Sequence, residues 1–251
     1  MYKIVILFSL FTTFVFSATS QQVDQYMSTT HSDRNLIAIE EMFSNLSETV
    51  DLSDDNISEQ ITLAYQIYLG KHISENEMEE LLALYRKPIM QQYINEMDMI
   101  EIPREEMENF LLTLKEEPLS TERQDIVDEL LKSIINEELL LNFYDSMMQR
   151  YAIKKDGNQT KEKEKSKESN SSKRVPTKQE EKFLNIMKKG IEQELLYGTQ
   201  VLSLEEMKKV NDVIKSSVIT KAKKVENEAI ITIMNDFIKR IVSEPKKIEK
   251  K

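Results

Sequence analysis

The side chains able to do chemistry are few and poorly spaced for it. His31 and His72 are the two histidines, and there is no cysteine. Disulfides, thiolate metal sites and a cysteine nucleophile are therefore excluded. A serine hydrolase would need one of these histidines as base and a nucleophile elbow such as G-x-S-x-G, which the sequence lacks. There is no H-E-x-x-H motif, and two separated histidines make no zinc site without carboxylates. His31 reads as a solvated residue, and His72 as a turn residue or a partner of a helix C-terminal dipole. Asp51, Asp54, Asp55, Asn56 and Glu59 invite a calcium-loop reading. They lack the alternating spacing and sharp-turn glycine of a calcium-binding hand, and Asn56 with Glu59 fits a capping box instead. Adjacent carboxylates at Glu40/Glu41, Glu79/Glu80 and Glu116/Glu117 lie on polar helix faces, where such groups are normally solvated. No nucleophile, base and orienting group can be assembled, so no catalytic, metal-binding or cofactor-binding residue is expected.

The elements that would have to position any site are helices. Only four glycines and five prolines occur in 251 residues, against an average usage of about 7% and 5%. β-rich folds need turn glycines and nucleotide sites need glycine-rich loops; Gly70, Gly157, Gly190 and Gly198 are too dispersed for either. With abundant Glu, Lys, Leu and Ile, this predicts an all-α fold. A first helix over 34–47 carries Leu36, Ile39, Met42, Phe43 and Leu46 on one stripe. A second over 57–69 is expected to end at Gly70. Ser74 with Glu77 forms a capping box for a third, whose buried face is Met78, Leu81, Leu82 and Tyr85, and which must kink or restart at Lys87-Pro88. Pro103 opens a helix that stops at Pro118, and Thr121 with Gln124 caps the next. The broad apolar face of 122–151 predicts a central helix or a break into two near Asn136. Thr177 with Glu180 and Ser203 with Glu206 cap two further helices, with Gly190 as a candidate close contact.

The chain begins with Lys3 and an apolar run from Ile4 to Phe16, the pattern of a secretory signal peptide. The run is shorter than the ~18–20 apolar residues of a membrane span. Cleavage is expected after Ser17 or after Ser20, with the small residues at −1 and −3 slightly favouring the second. The predicted organisation is a signal peptide over 1–20, a flexible mature N-terminus over 21–33 and a first helical unit over 34–118. A long helix over 119–153, a disordered charged linker over 154–178, a second helical unit over 179–243 and a charged tail over 244–251 follow. The linker has almost no apolar residue, so it cannot bury enough surface to offset ordering. Removing 1–20 takes away Lys3 and no acid, moving the net charge from −10 to −11. A chain this acidic is not expected to hold nucleic acid, whose phosphates need clustered Lys and Arg.

The third helix has an echo near the C-terminus. Ser74/Ser203, Glu77/Glu206 and Met78/Met207 match in one register, as do Leu81/Val210, Leu84/Val213, Ile89/Val218 and Met90/Ile219 in kind. The register extends back through Ile73/Leu202 to Tyr68/Tyr197, which predicts a duplication into two similar three-helix units. Ser74, Glu77, Met78, Leu84, Tyr85 and Pro88 also carry a resemblance to a bacterial exported family, domain of unknown function family 2059, whose pattern runs [ST]-x-x-E-[LIM]…F-Y-x-[ST]-P-x-G. Leu84 replaces Phe, Lys87 replaces Ser or Thr, and Met90 replaces Gly. In the second copy Ile214 and Ser217 replace Tyr and Pro. The resemblance implies a periplasmic or secreted all-helical domain and assigns no reaction.

Two functions fit these expectations. The first is a non-enzymatic exported helical interaction protein that receives an envelope protein partner in an apolar groove, consistent with methionines on several stripes. The second is a bundle that holds a lipid or another apolar ligand between its helices. Tyr65, Tyr68, Met78, Leu82, Tyr85, Lys87 and Pro88 are the candidate groove or ligand contacts, Tyr85 and Lys87-Pro88 foremost because they exceed what capping and packing require.

Overall fold

The protein, represented by a computed structural model, is described at residues 17–33, 36, 37, 39, 40, 57–98, 102–156 and 175–243. Among them are ten α-helices, and the fold is all-α. α1 (Ser20–Thr30), α2 (Ile57–His72), α3 (Glu75–Tyr85), α4 (Pro88–Met97) and α5 (Arg104–Glu116) occupy the first half. α6 (Thr121–Ile134), α7 (Glu137–Asp156), α8 (Lys178–Gly198), α9 (Leu204–Ile214) and α10 (Ser217–Ser243) complete it.

The helix starts follow their caps. At α3 the Ser74 hydroxyl accepts from the Glu77 N–H, and the Glu77 carboxylate accepts from the Ser74 N–H at 3.0 Å. Ser203 and Glu206 repeat this reciprocal pair at α9, and Thr177 and Glu180 at α8. The Glu77 carboxyl is held down to about 2, first by its 2.5 Å bond from Lys221 and then by Ser74. Between Tyr85 and Pro88 the chain restarts rather than kinks. Lys87 takes the extended conformation (φ −59°, ψ 136°) that a following proline favours, and Pro88 opens α4 where no amide donor is needed. The same break follows α9, where Ser217 stands in place of proline, and the preceding caps Arg86 and Lys215 have nearly identical backbone angles.

Several expectations are corrected. Residues 21–33 were expected to be flexible because they are polar; instead Ser20–Thr30 is a helix with a Thr19–Gln22 capping box. Its Val23, Tyr26 and Met27 are buried, three apolar residues at helical spacing being enough to fix it. α2 does not end at Gly70 but runs to His72; Gly70 is where the Ala18 backbone passes, an added Cβ lying 3.4 Å from the Ala18 carbonyl. Of the two readings of the segment, one long helix over 119–153 or a break into two near Asn136, the structure has the break. The two helices are parted at Ile135–Asn136, and the Asn136 side chain accepts from the Leu139 N–H. Ser120, not Thr121, caps α6. Gly190 meets nothing within 4 Å, whereas the close contact is at Gly198, where a Cβ would lie 2.7 Å from Met97 Sδ. Of the expected linker, 154–156 belong to α7 and 175–177 precede α8; 157–174 lie outside the described residues. So do residues 1–16, most of the helix expected over 34–47, Asp51–Asn56 and the tail over 244–251.

The packing has a regular plan. α1 lies against α2 and α3, and α6 lies against α8 and α9. α4, which follows α3, packs on α8 and α9, while α10, which follows α9, packs on α2 and α3. α7 lies on α8 and α10, and α5 lies on α8. One continuous apolar core results, with Met78, Leu81, Met90, Met207, Val210 and Ile219 sealed from solvent. Each such side chain contributes about 1.5–3 kcal/mol relative to exposure. Met27, Met78, Met90, Met207 and Met234 fill this core, which accounts for their place on the stripes.

Candidate functional site

The residues singled out from sequence separate into two environments. Tyr65, Met78, Leu82 and Tyr85 are buried in the core, and Tyr68 packs against its edge, stacked on the His72 ring at 4.0 Å. Lys87 and Pro88 lie exposed at the α3–α4 turn. They therefore do not line one open groove. His72 Nδ1 bonds the Tyr68 carbonyl at 2.8 Å in the last turn of α2, consistent with a helix-end role. His31 is not a free solvated residue: it closes α1 with a left-handed backbone (φ 53°), and its ring donates to the Asp98 carboxylate.

Tyr65 and Tyr85 belong to a polar node that sequence reasoning did not assemble. Glu226, on α10, accepts through Oε1 from the Tyr26 hydroxyl at 3.0 Å and from the Tyr65 hydroxyl at 3.1 Å. The Tyr85 ring meets Tyr26 edge-on, with centroids 5.8 Å apart. Tyr26 is 1% exposed and Tyr65 is 0% exposed, so both hydroxyls are shut off from water; both donate to this carboxylate oxygen, with the Tyr85 hydroxyl beside Tyr26 and the Ser32 hydroxyl beside Tyr65. Glu226 retains some accessible surface as a residue, yet its carboxyl lies deep enough that burial is the main influence, raising its pKa. The bonds from Tyr26 and Tyr65 and the nearby Lys223 ammonium oppose that rise. Burial also pushes the Lys223 ammonium down, with Glu226 opposing, and its Nζ reaches the Ser133 carbonyl at 3.4 Å. Both phenols are raised, first by burial and then by the Glu226 charge, and remain donors. What this arrangement does is tie α1, α2 and α10 together through hydrogen bonds closed to solvent. Its parts are separated by up to 200 residues, and Glu226 sits in a run of charged residues that reads as a solvated face.

A different place is open to solvent. α5 is amphipathic, but none of its residues is buried: Met107, Phe110, Leu111 and Leu114 are half-covered and Leu112 is 53% exposed. It rests on α8 by Phe110 against Tyr197, 5.3 Å apart and edge-to-face, and by the Tyr197 hydroxyl donating to Glu106. Between α5, α6 and α8 is a cavity of about 380 Å³ lined by Leu114, Pro118, Leu119 and Leu196, with Thr121, Gln124 and Asp125 on its polar side. The signal available in the sequence was the α5 stripe followed by Pro118, which ends the helix and leaves Leu119 at the groove.

Among the described residues no three His, Asp or Glu side chains gather to hold a metal ion, and no helix is long and apolar enough to cross a membrane. Fold and surface among the described residues define an all-helical bundle with a polar interior node and a surface groove of mixed apolar and polar lining. Comparison with protein-family models, curated proteins and solved structures finds no match.

Proposed function

We propose that this chain is an exported, non-enzymatic helical interaction protein that receives the apolar face of a partner segment in the groove between α5, α6 and α8. The observation that carries this reading is α5 itself: an amphipathic helix whose apolar residues all stay at least partly exposed and which rests, among the described elements, on α8. Asp125 on the groove and the exposed Glu116, Glu117 and Glu122 beside it favour an occupant with basic residues flanking its apolar face. The apolar run at Ile4–Phe16 supports export to the periplasm or the medium, as does the resemblance to the exported family of unknown function. The alternative, a lipid or apolar ligand held between helices at Tyr65, Tyr68, Met78, Leu82 and Tyr85, draws less support because four of these five are packed into the core.

We read the chain as two similar units. In this reading α1, α2 and α3 correspond to α6, α8 and α9, and α4 corresponds to the start of α10. Support comes from the paired capping boxes, equal lengths for α3 and α9, matching breaks after them, and the reciprocal packing of α4 and α10 on the other unit. To test the interaction, a photo-crosslinking residue at Leu114 of the exported protein should capture a reproducible partner at native abundance. Leu196→Glu should abolish the capture. No capture, or capture indifferent to Leu196→Glu, refutes the groove as the binding surface.

A further inference from the structure

We infer that the signal peptide is removed after Ser17, so that the mature chain begins with Ala18 and its α-ammonium caps the C-terminal end of α2. This rests on the proposed export and chooses between two cleavage positions that residue sizes alone leave open, with a slight lean to the other one. The reaction is hydrolysis by a host signal peptidase: water adds across the Ser17–Ala18 peptide bond, leaving a carboxylate on Ser17 and an amine on Ala18.

Ala18 and Thr19 belong to the folded body. Ala18 is 8% exposed, its N–H donates to the Ile73 carbonyl at 3.0 Å, and its own carbonyl lies over Gly70. Thr19 is the N-cap of α1: its hydroxyl accepts from the Gln22 N–H, and the Gln22 side chain accepts from the Thr19 N–H at 2.9 Å. Cutting after Ser20 would remove both residues and set a cationic amine on Gln21, inside the first turn of α1, at the positive end of its dipole. Cutting after Ser17 gives up the antiparallel bridge of that exposed residue to Ser74 but spares every one of these contacts. The hydrogen bond to Ile73 is made by the nitrogen of Ala18, so it survives as a bond from an ammonium group.

The other unit supplies an independent argument. The position corresponding to Ile73 is Leu202, and there the carbonyl is bonded by a cation: Arg123 Nη1 donates to the Leu202 carbonyl at 2.9 Å, and Nη2 to the Thr199 carbonyl at 2.5 Å. A positive group at this end of α8 complements the negative end of the helix dipole. In the first unit no side chain of that kind is needed if the Ala18 nitrogen is itself the cation.

The precursor is expressed with its own N-terminus in a secreting bacterial host, and the exported protein is read by intact mass and N-terminal sequencing. A mature chain starting at Ala18 is expected. One starting at Gln21 overturns this inference while leaving export intact, and a precursor that retains Met1 overturns the export reading itself. As a second readout, a chain made to start at Gln21 should melt about 2–4 °C or more below one starting at Ala18, the loss of one helix cap in a domain of this size. Equal melting temperatures would overturn the structural basis of the assignment.

Discussion

Glu226→Leu removes the oxygen that accepts from both Tyr26 and Tyr65. Each stranded buried donor costs about 1–3 kcal/mol, so the pair together costs up to about 2–6 kcal/mol, reduced where the neighbouring Ser32 and Tyr85 hydroxyls accept in place of Glu226. Part is returned, because a carboxyl whose pKa is raised by burial was itself unfavourable to bury in its charged form. A net loss of about 2–4 kcal/mol is expected, or a fall in Tm of roughly 5–15 °C. Glu226→Gln keeps an acceptor for both phenols and should lose less than about 1 kcal/mol at neutral pH. It should also change the pH dependence. With a folded-state pKa raised above the ordinary 4.5, the unfolded chain releases this proton at a lower pH than the folded chain. The Glu226 contribution to stability therefore declines as pH rises from about 4.5 through the raised value, and Glu226→Gln should flatten that decline. Urea denaturation of the three proteins at several pH values measures both effects. Adding Tyr26→Phe and Tyr65→Phe to Glu226→Leu should recover much of the loss by removing the stranded hydroxyls. A leucine variant as stable as the parent, or one not improved by the two phenylalanines, refutes the account.

Two glycines should answer oppositely to alanine. Gly198→Ala sets a Cβ 2.7 Å from Met97 Sδ and 3.4 Å from the Glu96 carbonyl, so the Met97 side chain must swing aside, and the change should destabilise by about 1 kcal/mol. Gly190→Ala meets nothing within 4 Å inside α8, and should stabilise by about 0.5–1 kcal/mol; equal effects in chemical denaturation would refute the packing assigned to Gly198. Pro88→Ser should preserve the break, since Ser217 opens α10 after a turn of nearly the same geometry, and should cost no more than about 1 kcal/mol through the freer unfolded chain. A gain of several kcal/mol from this substitution would mean that the chain prefers one straight helix through Tyr85 and Pro88.

The sequence revealed most where a local signal coincided with the global fold. Ser74–Glu77, Thr177–Glu180 and Ser203–Glu206 announce their helices because a capping box is complete within four residues. The stripe Met78, Leu81, Leu82, Tyr85 names core residues because each occurs at helical spacing. α1 was missed because a short helix with three apolar anchors among glutamines and serines is stabilised by what it packs against rather than by its own propensities. The node was missed for a stronger reason. Nothing near Glu226 in the chain distinguishes it from Glu228, and its role comes from Tyr26 and Tyr65, 200 and 161 residues away. Lys87 and Pro88 looked functional because they exceed what capping demands, but in the fold they form the exposed turn that redirects the chain from α3 to α4.

In the proposed two-unit plan, α4 and the start of α10 each close the opposite unit, so something must keep each from closing the wrong one. Met97 and Glu226 occupy corresponding positions on these two helices. Met97 lies over Gly198, whose missing side chain makes room for it. The residue corresponding to Gly198 in the first unit is Leu69, which is fully buried and leaves no such room. Glu226 meets Tyr26 and Tyr65, whereas the residue corresponding to Tyr65 in the second unit is Glu194, a like charge. Each exchanged helix thus fits one site and is opposed by the other, in one case by volume and in the other by charge. If this is the role of the pair, Met97→Glu combined with Glu226→Met should not rescue either single change, and the double variant should lose at least the sum of the two in chemical denaturation. Recovery in the double variant would mean that the two sites are interchangeable and that the node serves stability alone.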